Sequence, residues 1–139
     1  MARYYFDSCI WRDHYENRFG PKGRPLGKYA TALFMKIMKD GNTLLFSKFI
    51  LNELRLSYTM EEINVMMNLL YVAQVLKKIE IQSEDRIEAE KIAKDRSLPL
   101  TDVLHAILAR NNNAIMISQD KHFQRLKDIV EVKRPEEIL

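Results

Sequence analysis

Along this chain, short apolar runs of strand length alternate with stretches whose apolar residues recur at helical spacing. The first run, "RYYFDSCIW" from Arg3 to Trp11, is aromatic and predicts a strand ending near Asp7. "WRDHYENRFGPKGRPLGK", Trp11 to Lys28, holds three of the four glycines and two of the four prolines. It predicts mostly loop, with at most a helical turn at its start. Ala30, Leu33, Phe34 and Ile37 then fall at helical spacing, and Gly41 fits the cap that ends that helix. "NTLLFSKFI" predicts a second strand, and "LNELRLS" a short helix with Glu53 close to its start. Thr59 and Glu62 form a capping box that opens a long helix to about Leu76. "KKIEI" predicts strand three and "SEDRIEAEKIAKDR" an amphipathic helix. Pro99 and Thr101 mark the start of another helix, with Val103, Ala106, Ile107 and Arg110 on one side and Asn111 to Asn113 at its end. "AIMIS" predicts strand four, "DKHFQRLKD" a helix of about two turns, and "IVEVK" strand five, after which Pro135 stops the pattern.

This alternation predicts one α/β domain over residues 1–139 with a parallel sheet. Strands one and four are nearly continuous apolar runs, as expected when helices cover both faces. Composition agrees: 139 residues, 47% apolar, are enough for one real core, and 29% charged residues do not suggest disorder. The net charge of +3 and pI near 9.0 favour a polyanionic partner. Cys9 is the one cysteine, so an intrachain disulfide and cysteine-rich zinc sites are excluded, and a buried, inert thiol is expected. "MARYYFDSC" is not a signal peptide, and the stretch from Val65 to Leu76, broken by Asn68 and Gln74, is too short to span a bilayer. A soluble, cytoplasmic protein is the expectation.

The chemistry lies in the acids. In an open parallel sheet, ligands bind beyond the carboxyl ends of the strands. Asp7 and Asp120 sit at two such ends, and Glu53 and Asp102 are expected near helix starts at the same edge. Each has a plainer reading. Asp102 can complement a helix dipole, Glu53 can pair with Arg55 or face solvent, and Asp120 can cap the next helix. Asp7 is harder to dismiss, because a charge within an aromatic strand is costly unless paired or bound to a cation. Four converging carboxylates would repel one another, and a hard divalent cation such as Mg²⁺ or Mn²⁺ would relieve that. His105 lies one helical turn beyond Asp102, and His122 two residues beyond Asp120. Both have a packing or covering role as their plainer reading.

The order "FDSC", "FSKFILNEL", "PLTDVLHAILA", "AIMISQDKHF" resembles the PIN domain family of metal-dependent ribonucleases over nearly the whole chain. The last two segments are the most specific. They match an Asp opening an alanine-rich helix, then a strand ending in Thr or Ser, x, Asp, x, x, Phe. The resemblance implies a three-layer α/β/α fold with a five-stranded parallel sheet in order 3-2-1-4-5, which sets Asp7 and Asp120 at the switch point. It implies Asp7, Asp102 and Asp120 as ligands of one or two Mg²⁺ or Mn²⁺ ions, with Glu53 joining directly or through water. Ser8, Ser118, His105 and His122 would stand behind them. It further implies an endoribonuclease that leaves 5′-phosphate and 3′-hydroxyl ends. Small stand-alone members are often VapC-type toxins, usually dimers, silenced by an antitoxin. Arg12, Arg18, Arg24 and Lys121 are the expected RNA contacts. Two features depart from the family: His122 stands where members often carry a further acid, and the 11–28 loop reads as long and basic. Two other functions remain open: a catalytically silent module that binds RNA or protein, and a phosphoacceptor receiver domain suggested by "VKRP".

Overall fold

The computed structural model describes residues 1–139. Five short strands form one parallel sheet: β1 (Arg3–Phe6), β2 (Thr43–Phe46), β3 (Leu76–Lys78), β4 (Ile115–Ile117) and β5 (Val132–Lys133). Their order is 3-2-1-4-5, as expected. It differs from the 2-1-3-4-5 order of receiver-type sheets. Consecutive residues Tyr4, Tyr5 and Phe6, and likewise Leu44, Leu45 and Phe46, are all buried. Both sheet faces are therefore covered, which gives three layers, α/β/α.

Seven helices do the covering: α1 (Ser8–Glu16), α2 (Leu26–Asp40), α3 (Lys48–Arg55), α4 (Met60–Val72), α5 (Ser83–Arg96), α6 (Leu100–Asn111) and α7 (Pro135–Ile138). In α4 the expected capping box is present: Glu62 N–H donates to Thr59 Oγ1 (3.2 Å), and Thr59 N–H to Glu62 Oε1 (3.0 Å). The helix ends at Val72, earlier than Leu76, because Gln74 turns left-handed (φ 59°) and Leu76 joins β3. In α6 every residue from Val103 to Ala109 is buried, so it is a central helix and not a one-sided one.

Four further expectations change. The segment after β1 is a nine-residue helix and not mostly loop. Ile10 and Trp11 face the core, and Asn17 ends the helix in the left-handed region (φ 51°). The glycines and prolines that suggested loop all lie beyond Asn17, where a 3₁₀ turn (Pro21–Gly23) leads into α2. Gly27 is required there: a Cβ would stand 2.5 Å from Asn17 Cα and 2.6 Å from the Asp13 carbonyl oxygen. Glu53 lies in the last turn of α3, not near its start, because Ser47 ends the strand and the helix begins at Lys48. The element after Asp120 is a 3₁₀ helix (Lys121–Leu126). Pro135 does not stop the pattern but opens α7 at its first position, where proline's missing N–H has no helical partner to lose.

Candidate active site

Phe6 of β1 pairs with Ile117 of β4, so Asp7 and Ser118 leave the sheet side by side. Asp7 is buried. Its backbone N–H donates to the Ile117 carbonyl (3.0 Å). Its Oδ2 accepts from Ser118 Oγ (2.9 Å) and Cys9 Sγ (3.1 Å), while Oδ1 accepts nothing from the protein. Burial raises the Asp7 carboxyl above its ordinary pKa, and the opposing pull of His105, Cys9 and Ser118 does not cancel this. Burial, then the charge of Asp7, pushes the Cys9 thiol well up, so Cys9 acts as a donor and not as a thiolate. The thiol is half-buried and inert by this account, with a specific partner that its apolar surroundings did not reveal.

Ser118 Oγ also accepts the Asp120 N–H (2.9 Å), so one hydroxyl fixes the distance between Asp7 and Asp120. Asp120 Oδ1 accepts the His122 N–H (2.9 Å) and so caps the 3₁₀ helix. Asp102 is the third residue of α6, and its side chain is only 14% exposed. His122 Nδ1 lies 3.1 Å from Asp102 Oδ2 and 3.4 Å from Asp120 Oδ1, between the two carboxylates. Even so, the Asp102 carboxyl is pushed up to about 6, by burial first and then by the charges of Asp120 and Asp7. The charges of Asp120 and Asp7 therefore reach Asp102, and His122 does not fully offset them.

Glu53 reaches the cluster from α3. Its Oε1 lies 2.7 Å from Nε2 of His105, which is fully buried. His105 Nδ1 is 2.8 Å from the Tyr5 hydroxyl, itself 2.7 Å from Ser47 Oγ. A carboxylate only accepts, so Nε2–H donates to Glu53, and with the imidazole neutral the rest of the chain runs one way. Ser47 donates to Tyr5, Tyr5 to Nδ1, and Nε2–H to Glu53. Burial pushes the Tyr5 phenol well up, so it stays a donor.

Two groups of candidate ligand atoms result, each lying within 4.8 Å of one another: Asp7 with Glu53 and His105, and Asp102 with Asp120 and His122. Both His105 nitrogens are already engaged, so its part in the first group is to hold Glu53. His105 makes two hydrogen bonds and so does more than pack. Ser8 opens α1 without a hydrogen bond to any acid; Cys9 and Ser118 make those contacts. Tyr5 and Ser47 were missed in the sequence. The available signal was a tyrosine in a buried strand, whose hydroxyl must find a partner. Arg12 pairs with Glu16 (4.0 Å), Arg18 with Asp13 (3.5 Å), and Arg24 with Glu136, so much of the expected RNA-binding charge is locally engaged. Lys121 is exposed and unpaired. Trp11 is fully buried against Phe6 and Phe34 and cannot stack on a base.

A doubly wound parallel sheet with four carboxylates at its switch point defines a class of α/β protein whose ligand site is acidic. Residues 4–129 match the PIN domain family model, and the chain belongs to the PIN domain family. In fold it is similar to VapBC2 from Rickettsia felis, solved bound to a DNA fragment from its promoter, with a TM-score of 0.67 and 17% identity over 95% of this chain and 98% of that one. A toxin–antitoxin complex from Klebsiella pneumoniae gives a TM-score of 0.67 and 14% identity over 95% and 97%. FitAcB from Neisseria gonorrhoeae gives 0.58 and 16% over 95% and 97%. At these identities the likeness is one of fold. No curated protein matches the chain in sequence. No helix is long and apolar enough to cross a membrane.

Proposed function

We propose that residues 1–139 form a single PIN-type unit that acts as a metal-dependent endoribonuclease, the toxin of a VapBC-type toxin–antitoxin pair. The observation that carries this reading is the convergence of Asp7, Asp102 and Asp120, with Glu53, at one edge of the sheet, where burial first and then the charges of Asp120 and Asp7 raise the Asp102 carboxyl to about 6. Such a site is short of positive charge, and its donors are mostly oxygen, which fits Mg²⁺ or Mn²⁺. Asp7, Asp102 and Asp120 would hold one or two ions, with Glu53 joining directly or through water. Bound there, the ion supplies Lewis acidity that makes water nucleophilic at neutral pH and offsets charge on the phosphoryl oxygens.

The chain's own residues prepare the site. Ser118 holds Asp7 and Asp120 in register. His105 fixes the Glu53 carboxylate through Nε2, with Tyr5 and Ser47 setting its tautomer. His122 screens Asp102 from Asp120. In the reaction, water adds to phosphorus and the bond from phosphorus to the 3′ oxygen breaks. The departing oxygen takes a proton, leaving 5′-phosphate and 3′-hydroxyl ends. The toxin assignment is supported by the likeness to VapBC2 and to the Klebsiella complex. It carries with it an antitoxin partner, a homodimer and a cytoplasmic setting. The test is cleavage of single-stranded RNA with Mn²⁺ by wild type, Asp7→Asn and Asp102→Asn. Each variant should lose roughly 100-fold or more, beyond what loss of an outer partner does. Variants that cleave like wild type would sink the reading.

A further inference from the structure

Beside the acidic site lies a polar cleft of about 350 Å³ with no apolar residue in its lining. Lys121 and Lys127 supply its unpaired positive charge, Arg24 and Arg134 also line it but are paired with Glu136 and Glu137, and Gln119 and Gln124 add amide groups. Gln119 and Lys121 are the residues on either side of Asp120. Arg134 follows the carboxyl end of β5, so the cleft opens on the sheet edge that carries Asp7 and Asp120. Its one lining acid, Glu137, is turned back on the chain by hydrogen bonds from the Arg134 N–H (2.8 Å) and side chain (3.4 Å). Glu136 pins Arg24 across from the 3₁₀ turn and accepts the Gln119 amide (2.9 Å). Lys121 and Lys127 have neither an ion pair nor a hydrogen bond within the chain.

We infer that this cleft binds a backbone phosphate of the RNA strand next to the bond being cut. The inference rests on the ribonuclease reading and adds to it the means by which a polyanion is held against a site of four carboxylates. Repulsion from those acids disfavours approach, and a cationic cleft one residue from Asp120 offsets it where the strand must pass. The space is roughly that of ten waters, ample for a phosphate with part of its ribose.

The experiment compares Lys121→Gln/Lys127→Gln with Lys77→Gln/Lys78→Gln, a pair of exposed lysines on β3 at the far edge of the sheet. Binding of a fluorescent single-stranded RNA 12-mer is read by anisotropy from 50 to 300 mM KCl. For single strands each lost phosphate contact lowers the salt slope by about 0.7. The cleft variant should lose between about 0.7 and 1.4 in slope, and the β3 variant none. With Mn²⁺, the cleft variant should show a raised KM with kcat near wild type. Equal slope loss in both variants, or none in either, would overturn the inference, as would wild type that binds no RNA. A cleft that serves an acidic protein partner gives the no-loss result. Binding that depends on the cleft without any cleavage would instead remove the ribonuclease reading. Cleavage with an unchanged slope removes only the cleft.

Discussion

Replacing Asp102 with Asn should make the metal-free protein more stable. The folded protein raises this carboxyl from 3.8 to about 6, by burial and by the charges of Asp120 and Asp7. A folded-state pKa above the unfolded one means the native state holds the proton more tightly. The stabilising contribution is therefore complete below about pH 3.8 and is lost as pH rises through about 6. At about 1.4 kcal/mol per tenfold change in proton affinity, the ionised group costs roughly 3 kcal/mol at pH 8. Asn keeps the shape and an acceptor for His122 but carries no charge. In EDTA at pH 8 the variant should gain roughly 3 kcal/mol in urea unfolding, or on the order of 10 °C in Tm. The gain should vanish near pH 3.5. Mn²⁺ should raise the Tm of wild type and leave the variant nearly unmoved. A gain below about 1 kcal/mol at pH 8, or one that persists at pH 3.5, would refute the claim that burial and the neighbouring acids raise the Asp102 carboxyl.

Tyr5→Phe leaves His105 Nδ1 and Ser47 Oγ buried without their partner. Each unpaired group costs about 1–3 kcal/mol, which chemical denaturation would register, and little change would mean the chain does not hold His105. Gly27→Ala drives a methyl into the backbone of Asn17 and should destabilise by roughly 1–3 kcal/mol or more; an unchanged Tm would contradict the close packing of α1 on α2. His122→Asp exchanges an imidazole between Asp102 and Asp120 for a third carboxylate. Thermal shift titrations should then show the ratio of Mg²⁺ to Mn²⁺ midpoints falling, since carboxylates suit Mg²⁺ better than imidazole does. An unchanged ratio would place His122 outside the metal's reach.

The central strands β1, β2 and β4 were legible because they are covered on both faces, and such strands read as nearly unbroken apolar runs between turn signals. Asp7 and Asp120 were legible for the same reason: each follows a run that cannot hold a charge. The helix α1 was hidden because its neighbours beyond Asn17 are rich in glycine and proline, and a window spanning both averages them. Glu53 was misplaced by half a helix because "NTLLFSKFI" is apolar throughout, and only Ser47 marks where strand becomes helix. The buried line from Ser47 to Glu53 could not be read at all. Its members lie 42, 100 and 52 residues apart along the chain, and nothing local reports contacts across the sheet.

The carboxylates come from β1's end, α3, α6 and the turn after β4, so only the folded chain brings all four together. During synthesis Asp7 emerges first and waits for Asp120, which cannot be set beside it until β4 has threaded in next to β1. The set of four is therefore incomplete until the chain has been made as far as Asp120 and folded.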